Sequence, residues 1–121
     1  MATFRSIVRD VDTAVAFYTT HLGFTLEEQY GPNMAILVRD DLELWVAGPG
    51  ASASRAMPDG RQPEPGGWNR IVLSVSLLEA TVATLRAAGV IFRSDIIKGP
   101  GGTQVLIEDP SGNPIELFEA R

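Results

Sequence analysis

The chain has 121 residues, 45% of them apolar and 21% charged, with a formal net charge of −5 and no cysteine. That size and balance suit one soluble globular protein, and the missing cysteines exclude disulfides and thiolate-bound metals. An acidic chain with scattered arginines and one lysine, Lys98, is not a dedicated nucleic-acid binder, which needs clustered cations against phosphate.

Met1-Ala2-Thr3-Phe4-Arg5 turns polar too soon for a secretion signal. No apolar run approaches the roughly 20 residues of a membrane span, so no membrane partner and a cytoplasmic location are expected. Phe4 to Arg9 reads as a strand. Asp12 is placed to cap a helix over Thr13 to Leu22, with Ala14, Phe17, Tyr18 and Leu22 as its buried stripe. Gly23 stops it. Strands are expected over Thr25–Tyr30, Met34–Arg39 and Leu42–Ala47, joined by turns short enough to require antiparallel hairpins.

The segment from Gly48 to Gly67, rich in Gly, Pro, Ser and Ala, is long for a loop inside a compact domain. It reads as a linker between halves and as a rim for a binding site, carrying Arg55 and Met57. The order of elements then repeats. Asn69–Val75 reads as a strand, and Ser76-Leu77-Leu78-Glu79 has the capping-box pattern ahead of a helix ended by Gly89. Strands over Ile91–Ile97, Thr103–Glu108 and Ile115–Glu119 complete the second half. Val8 falls on Val75, Val15 on Val82 and Tyr18 on Leu85. Leu42-Glu43-Leu44-Trp45 matches Ile115-Glu116-Leu117-Phe118. Two copies of one long unit indicate duplication, since solenoids need at least three repeats. The fold class is α+β, two βαβββ modules: one at about 1–47, a linker at 48–67, the other at about 68–121.

The run Val8-Arg9-Asp10-Val11-Asp12 with Phe17-Tyr18 and Leu22-Gly23-Phe24 resembles the first module of the glyoxalase/bleomycin-resistance/extradiol dioxygenase (vicinal oxygen chelate) superfamily. Asp109-Pro110-Ser111-Gly112-Asn113-Pro114-Ile115-Glu116-Leu117 resembles that superfamily's last hairpin. The resemblance implies cup-shaped sheets, commonly paired in a homodimer with ligand grooves between modules. It also implies a metal held by one ligand from each of four strands, two of them usually His. Those positions fall here on Thr3 (or Arg5, if the register slips), Glu43, Arg70 and Glu116. A guanidinium cannot coordinate a metal, so no cofactor is expected, a divalent metal being the alternative.

Three functions follow as expectations. The first is a metal-independent binder of a small molecule, with Trp45, Trp68, Arg70, Arg55 and Met57 as ligand contacts. The second is a glyoxalase-type lyase, isomerase or dioxygenase. There Glu43 or Glu116 would serve as base and Arg70 as the electrostatic stabiliser. The third is a regulatory or interaction module. For Arg70 the alternative to a ligand contact is a buried ion pair, with Glu116 or with both Glu43 and Glu116, left in a disused site. His21, the single histidine, reads as a residue of the first helix's last turn, favoured there by the helix dipole.

Overall fold

The computed structural model describes all residues from Met1 to Arg121 and divides into two compact units, Met1–Gly66 and Gly67–Arg121. Each is a four- or five-stranded sheet carrying one helix.

In the first unit, β1 (Ala2–Ile7) precedes α1 (Val11–His21), and β2 (Thr25–Tyr30), β3 (Met34–Arg39) and β4 (Leu42–Ala47) follow. The strand order is β1-β4-β3-β2, with β1 parallel to β4 and the remaining pairs antiparallel. Alternation along the strands decides the faces. Ala35, Leu37, Leu44 and Val46 point to the helix side and are fully buried with Val11, Ala14, Phe17 and Tyr18 of α1. Phe17, Tyr18 and Phe24 meet edge to face at 5.3 and 5.4 Å, a favoured geometry for aromatic quadrupoles. Burying each large side chain is worth roughly 1.5–3 kcal/mol, which fixes the register because a one-residue slip would expose the whole set.

The helix starts two residues earlier than the sequence suggested. Asp10, in extended backbone, is the N-cap and accepts the Thr13 amide at 2.8 Å. Asp12 instead lies in the first turn and accepts from Gln29 Nε2 at 2.7 Å. Val11 is almost completely buried, so the helix must begin there to place it.

The 48–66 segment is not a bare tether. It contains a 3-10 turn at Ser52–Ser54, and Ser54 Oγ donates to the Gly48 carbonyl at 2.7 Å. Gln62 Nε2 donates to the Ser54 carbonyl at 2.6 Å. Gly48 is obligatory: a Cβ there would lie 2.8 Å from the Pro32 carbonyl oxygen and 2.9 Å from Val11 Cγ2.

The second unit has β5 (Ile71–Ser74), α2 (Leu78–Ala87), β6 (Ile91–Phe92), β7 (Ile97–Gly99), β8 (Gly102–Glu108) and β9 (Pro114–Ala120). The order is β5-β9-β8-β6, with β5 parallel to β9 and β7 pairing β8. Leu73, Val105, Ile107, Ile115 and Leu117 form the core with Leu78, Val82 and Leu85 of α2.

Two expectations fail here. The single strand over Ile91–Ile97 is broken into β6 and β7, and the Arg93 and Ser94 amides between them both reach the Leu106 carbonyl. The capping box does not form. Leu77 is the N-cap, without a side-chain cap, and the Leu78 amide is taken by Glu119 Oε1 of β9 at 2.8 Å.

Candidate functional site

Each sheet has one face covered by its helix and one face that the helix leaves open. The candidate residues stand on the open faces, and each unit carries its own group.

In the first unit Thr3 is the residue opposite Glu43, and Arg5 is opposite Trp45. This register puts Thr3, not Arg5, beside the strand-four glutamate. Trp45 Nε1 donates to Glu43 Oε1 at 2.6 Å, and the Arg5 guanidinium lies over the Trp45 ring at 4.9 Å. Met34, Ile36 and Val38, half-buried, continue the same face across β3. The result is an aliphatic floor ending in an indole, with an acid and a cation on either side of the ring.

In the second unit Arg70 precedes β5. Its Nε and Nη2 donate to one oxygen of Glu116, at 3.1 and 2.9 Å, and Nη1 reaches the Trp68 carbonyl at 3.4 Å. The Arg70 side chain keeps 30% exposure and Glu116 11%. The pair therefore closes the carboxylate while leaving guanidinium surface open. Val72, 54% exposed, stands beside Glu116 on this face, and Ile91, 61% exposed, stands on the same face at the far edge strand.

Trp68 meets Arg70 through its backbone carbonyl, and its ring is engaged separately. It stacks on a different cation, Arg93, whose guanidinium carbon is 4.6 Å from the ring centroid. Arg93 is a residue of this cluster that no sequence signal marks. Its Nε meets Glu108 at 2.7 Å, its Nη1 the Gly67 carbonyl at 2.6 Å, and its Nη2 the Gly112 carbonyl at 2.9 Å. These partners are distant in the chain, so no local spacing announces them.

The remaining candidates lie off the sheet faces. Arg55 and Met57 are exposed in the 48–66 segment, where the Met57 amide donates to the Arg61 carbonyl at 2.8 Å. His21 sits in the last turn of α1 with its ring 5.4 Å from Phe17. A cavity of about 640 Å³ opens beside the first turn of α2, lined by Leu77, Ile96, Lys98, Thr103 and Glu119 among others. Strand parity puts Thr103 and Glu119 on the helix side of the sheet, opposite to Arg70 and Glu116. The cavity is therefore separate from the candidate residues.

The donor set does not fit the four-ligand metal that the sequence resemblance implies. The position of a ligand is taken by Arg70, an obligate cation bonded to the neighbouring carboxylate.

Residues 1–117 match the family model of the Glyoxalase/Bleomycin resistance protein/Dioxygenase superfamily. A member of that superfamily from Sphaerobacter thermophilus has a similar structure at 30% identity. The match covers 98% of this chain and 95% of that one, with a TM-score of 0.74. TnmS3, an antibiotic binding protein from a Streptomyces, is similar at 26% identity, covering 98% and 93%, with a TM-score of 0.75. Lactoylglutathione lyase from Agrobacterium tumefaciens shares the fold at 20% identity, covering 98% and 92%, with a TM-score of 0.73. No curated protein matches the sequence.

Proposed function

Because the chain belongs to the glyoxalase/bleomycin resistance protein/dioxygenase superfamily, we propose that it binds a small organic molecule on its open sheet faces, without a metal. The observation that carries this reading is the Arg70–Glu116 pair. A guanidinium stands where the resemblance would place a metal ligand, and it supplies positive charge with directed donors instead. Its exposed part is free to meet an anionic or carbonyl group of a ligand. Next to it, Trp68 exposes apolar surface that a ligand would cover. In the first unit, Trp45 offers a flat wall of that unit's own open face, and Arg55 and Met57 would act there only as peripheral contacts. The antibiotic binding protein similar to this chain supports binding as the task.

The base chemistry open to Glu43 and Glu116 has less support. One oxygen of each already accepts a hydrogen bond from a neighbouring side chain, whereas a general base must reach the proton it removes.

Native mass spectrometry of freshly purified protein tests the proposal. The expected spectrum shows a co-purified or added organic ligand and no stoichiometric metal. A ligand at 100 times its dissociation constant should add about 2.7 kcal/mol to stability. Stoichiometric Ni²⁺, Zn²⁺, Mn²⁺ or Fe²⁺, with a melting temperature that falls in chelator and in Glu116→Ala, would replace it with a metal-dependent function.

A further inference from the structure

We infer that Trp68 is a stacking platform for a flat, uncharged or anionic aromatic ligand, and that Arg93 is the residue that positions it. The inference rests on the small-molecule reading above and names the ligand class.

Trp68 is 69% exposed, the largest apolar side chain so displayed. Leaving an indole in water forfeits the gain of burying it. Nothing in the turn geometry requires the ring there, yet both ends of the residue are held. Its carbonyl accepts from Arg70 Nη1, and its ring lies against Arg93. Arg93 is itself fixed at three points, Glu108, Gly67 and Gly112, and its side chain is only 17% exposed. Three bonds to a planar group fix the plane of the guanidinium, and the plane of the guanidinium sets the plane of the indole stacked on it. One face of the ring is thus occupied by a cation and the other is presented to solvent in a set orientation. A ligand stacking there would lose little entropy in ordering its partner.

The cation also sets the preference. A charge beneath the ring draws π density toward itself, making the open face a poorer seat for a second cation and a better one for a neutral or anionic ring system. Arg70 adds a partly exposed guanidinium nearby, its charge balanced by Glu116 as that of Arg93 is by Glu108, so the preference is a local effect of the groups facing the ring. The net charge of −5 pulls the other way, attracting cations at long range. A matched pair of probes therefore separates the local effect from the global one.

The experiment uses the full chain with Trp45→Phe, so that the only indole N–H resonance belongs to Trp68. Naphthoate and naphthylmethylammonium, the same fused ring with opposite charge, are titrated and followed by NMR. Naphthoate is expected to shift the indole resonance and to bind more tightly than the ammonium probe. Trp68→Ala should weaken naphthoate binding about tenfold. Arg93→Lys keeps the charge but loses the fork, so it should broaden the indole resonance and weaken binding several-fold while the core resonances stay in place. Arg93→Gln is a second probe of the clamp if the lysine variant does not fold. Naphthoate affinity unchanged by Trp68→Ala but lost in Arg70→Ala would overturn the platform and leave the small-molecule reading intact. Tighter binding of the ammonium probe in the same protein would overturn the charge preference. Absence of binding by either probe, together with a ligand-free native mass spectrum, would overturn both readings.

Discussion

Arg70 and Glu116 meet through a single carboxylate oxygen, two N–H groups of the guanidinium converging on Oε1 while the third nitrogen turns back to the Trp68 carbonyl. The pair is neither sealed nor free in solvent. Arg70→Ala should cost about 2 kcal/mol, between the about 3–5 kcal/mol of a broken buried pair and the 0–1 kcal/mol of an exposed one. The double variant Arg70→Leu with Glu116→Leu should be less destabilised than Arg70→Ala alone, because it leaves no unpaired acid. Urea unfolding of the three proteins measures this. A single-variant loss near zero would show that the pair contributes no more than a surface contact.

Asp10 ties stability to pH. The Thr13 hydroxyl first, and then the Thr13 amide, donate to its carboxylate and hold its pKa below the ordinary aspartate range. Its contribution is complete above the unfolded value of about 4 and is lost as pH falls through the lowered native value. Asp10→Asn keeps a capping oxygen but not the titration. Its urea midpoints should therefore fall less steeply than wild type on the acid side. Superimposable acid limbs would show that this carboxylate does not couple to folding.

The cap of α2 comes from the far end of the chain. Glu119→Ala should destabilise by about 1 kcal/mol through loss of the Leu78 acceptor and of a negative charge at a helix N-terminus. Ser76→Ala should change stability by less than about 0.5 kcal/mol, since α2 has no side-chain cap from its own segment. The reverse ranking in thermal melts would restore the local capping box.

We expect a homodimer. Exposed Val72 and Ile91 stand on an open sheet face, and uncovered apolar surface and sheet edges are usually paired or shielded. Equilibrium sedimentation at tens of micromolar should give twice the mass of one chain. A monomer there would remove the dimer.

The modules were legible in the sequence because their signals are local. Alternation, helical spacing and the Asp-Pro-Ser-Gly-Asn-Pro turn each reside within a few residues, and the register of Glu43 and Glu116 follows from the repeated strand motif. What was hidden depends on partners remote in sequence. The Arg93 clamp joins Gly67, Glu108 and Gly112, and Glu119 displaces a well-formed capping motif. The break between β6 and β7 was hidden too. Ile91-Phe92 and Ile96-Ile97 on either side of Arg93-Ser94-Asp95 read as one strand, but two amides converging on the Leu106 carbonyl interrupt the ladder. The sequence offers Trp68 as a contact candidate but gives no sign of the cation its ring meets.

The repeated frame leads to a point about how such a protein can change. Equivalent glutamates stand on β4 and β9, each on the sheet face opposite to the one packed on the helix. One is quieted by an indole and the other by a guanidinium. The same scaffold therefore accepts two unlike partners for one acid, because the side chains that vary are not those that hold the sheet to its helix. Open-face and helix-face positions alternate along the same strands, so the face that carries the two acids can be altered, by mutation or by design, while the residues packed on the helix stay as they are.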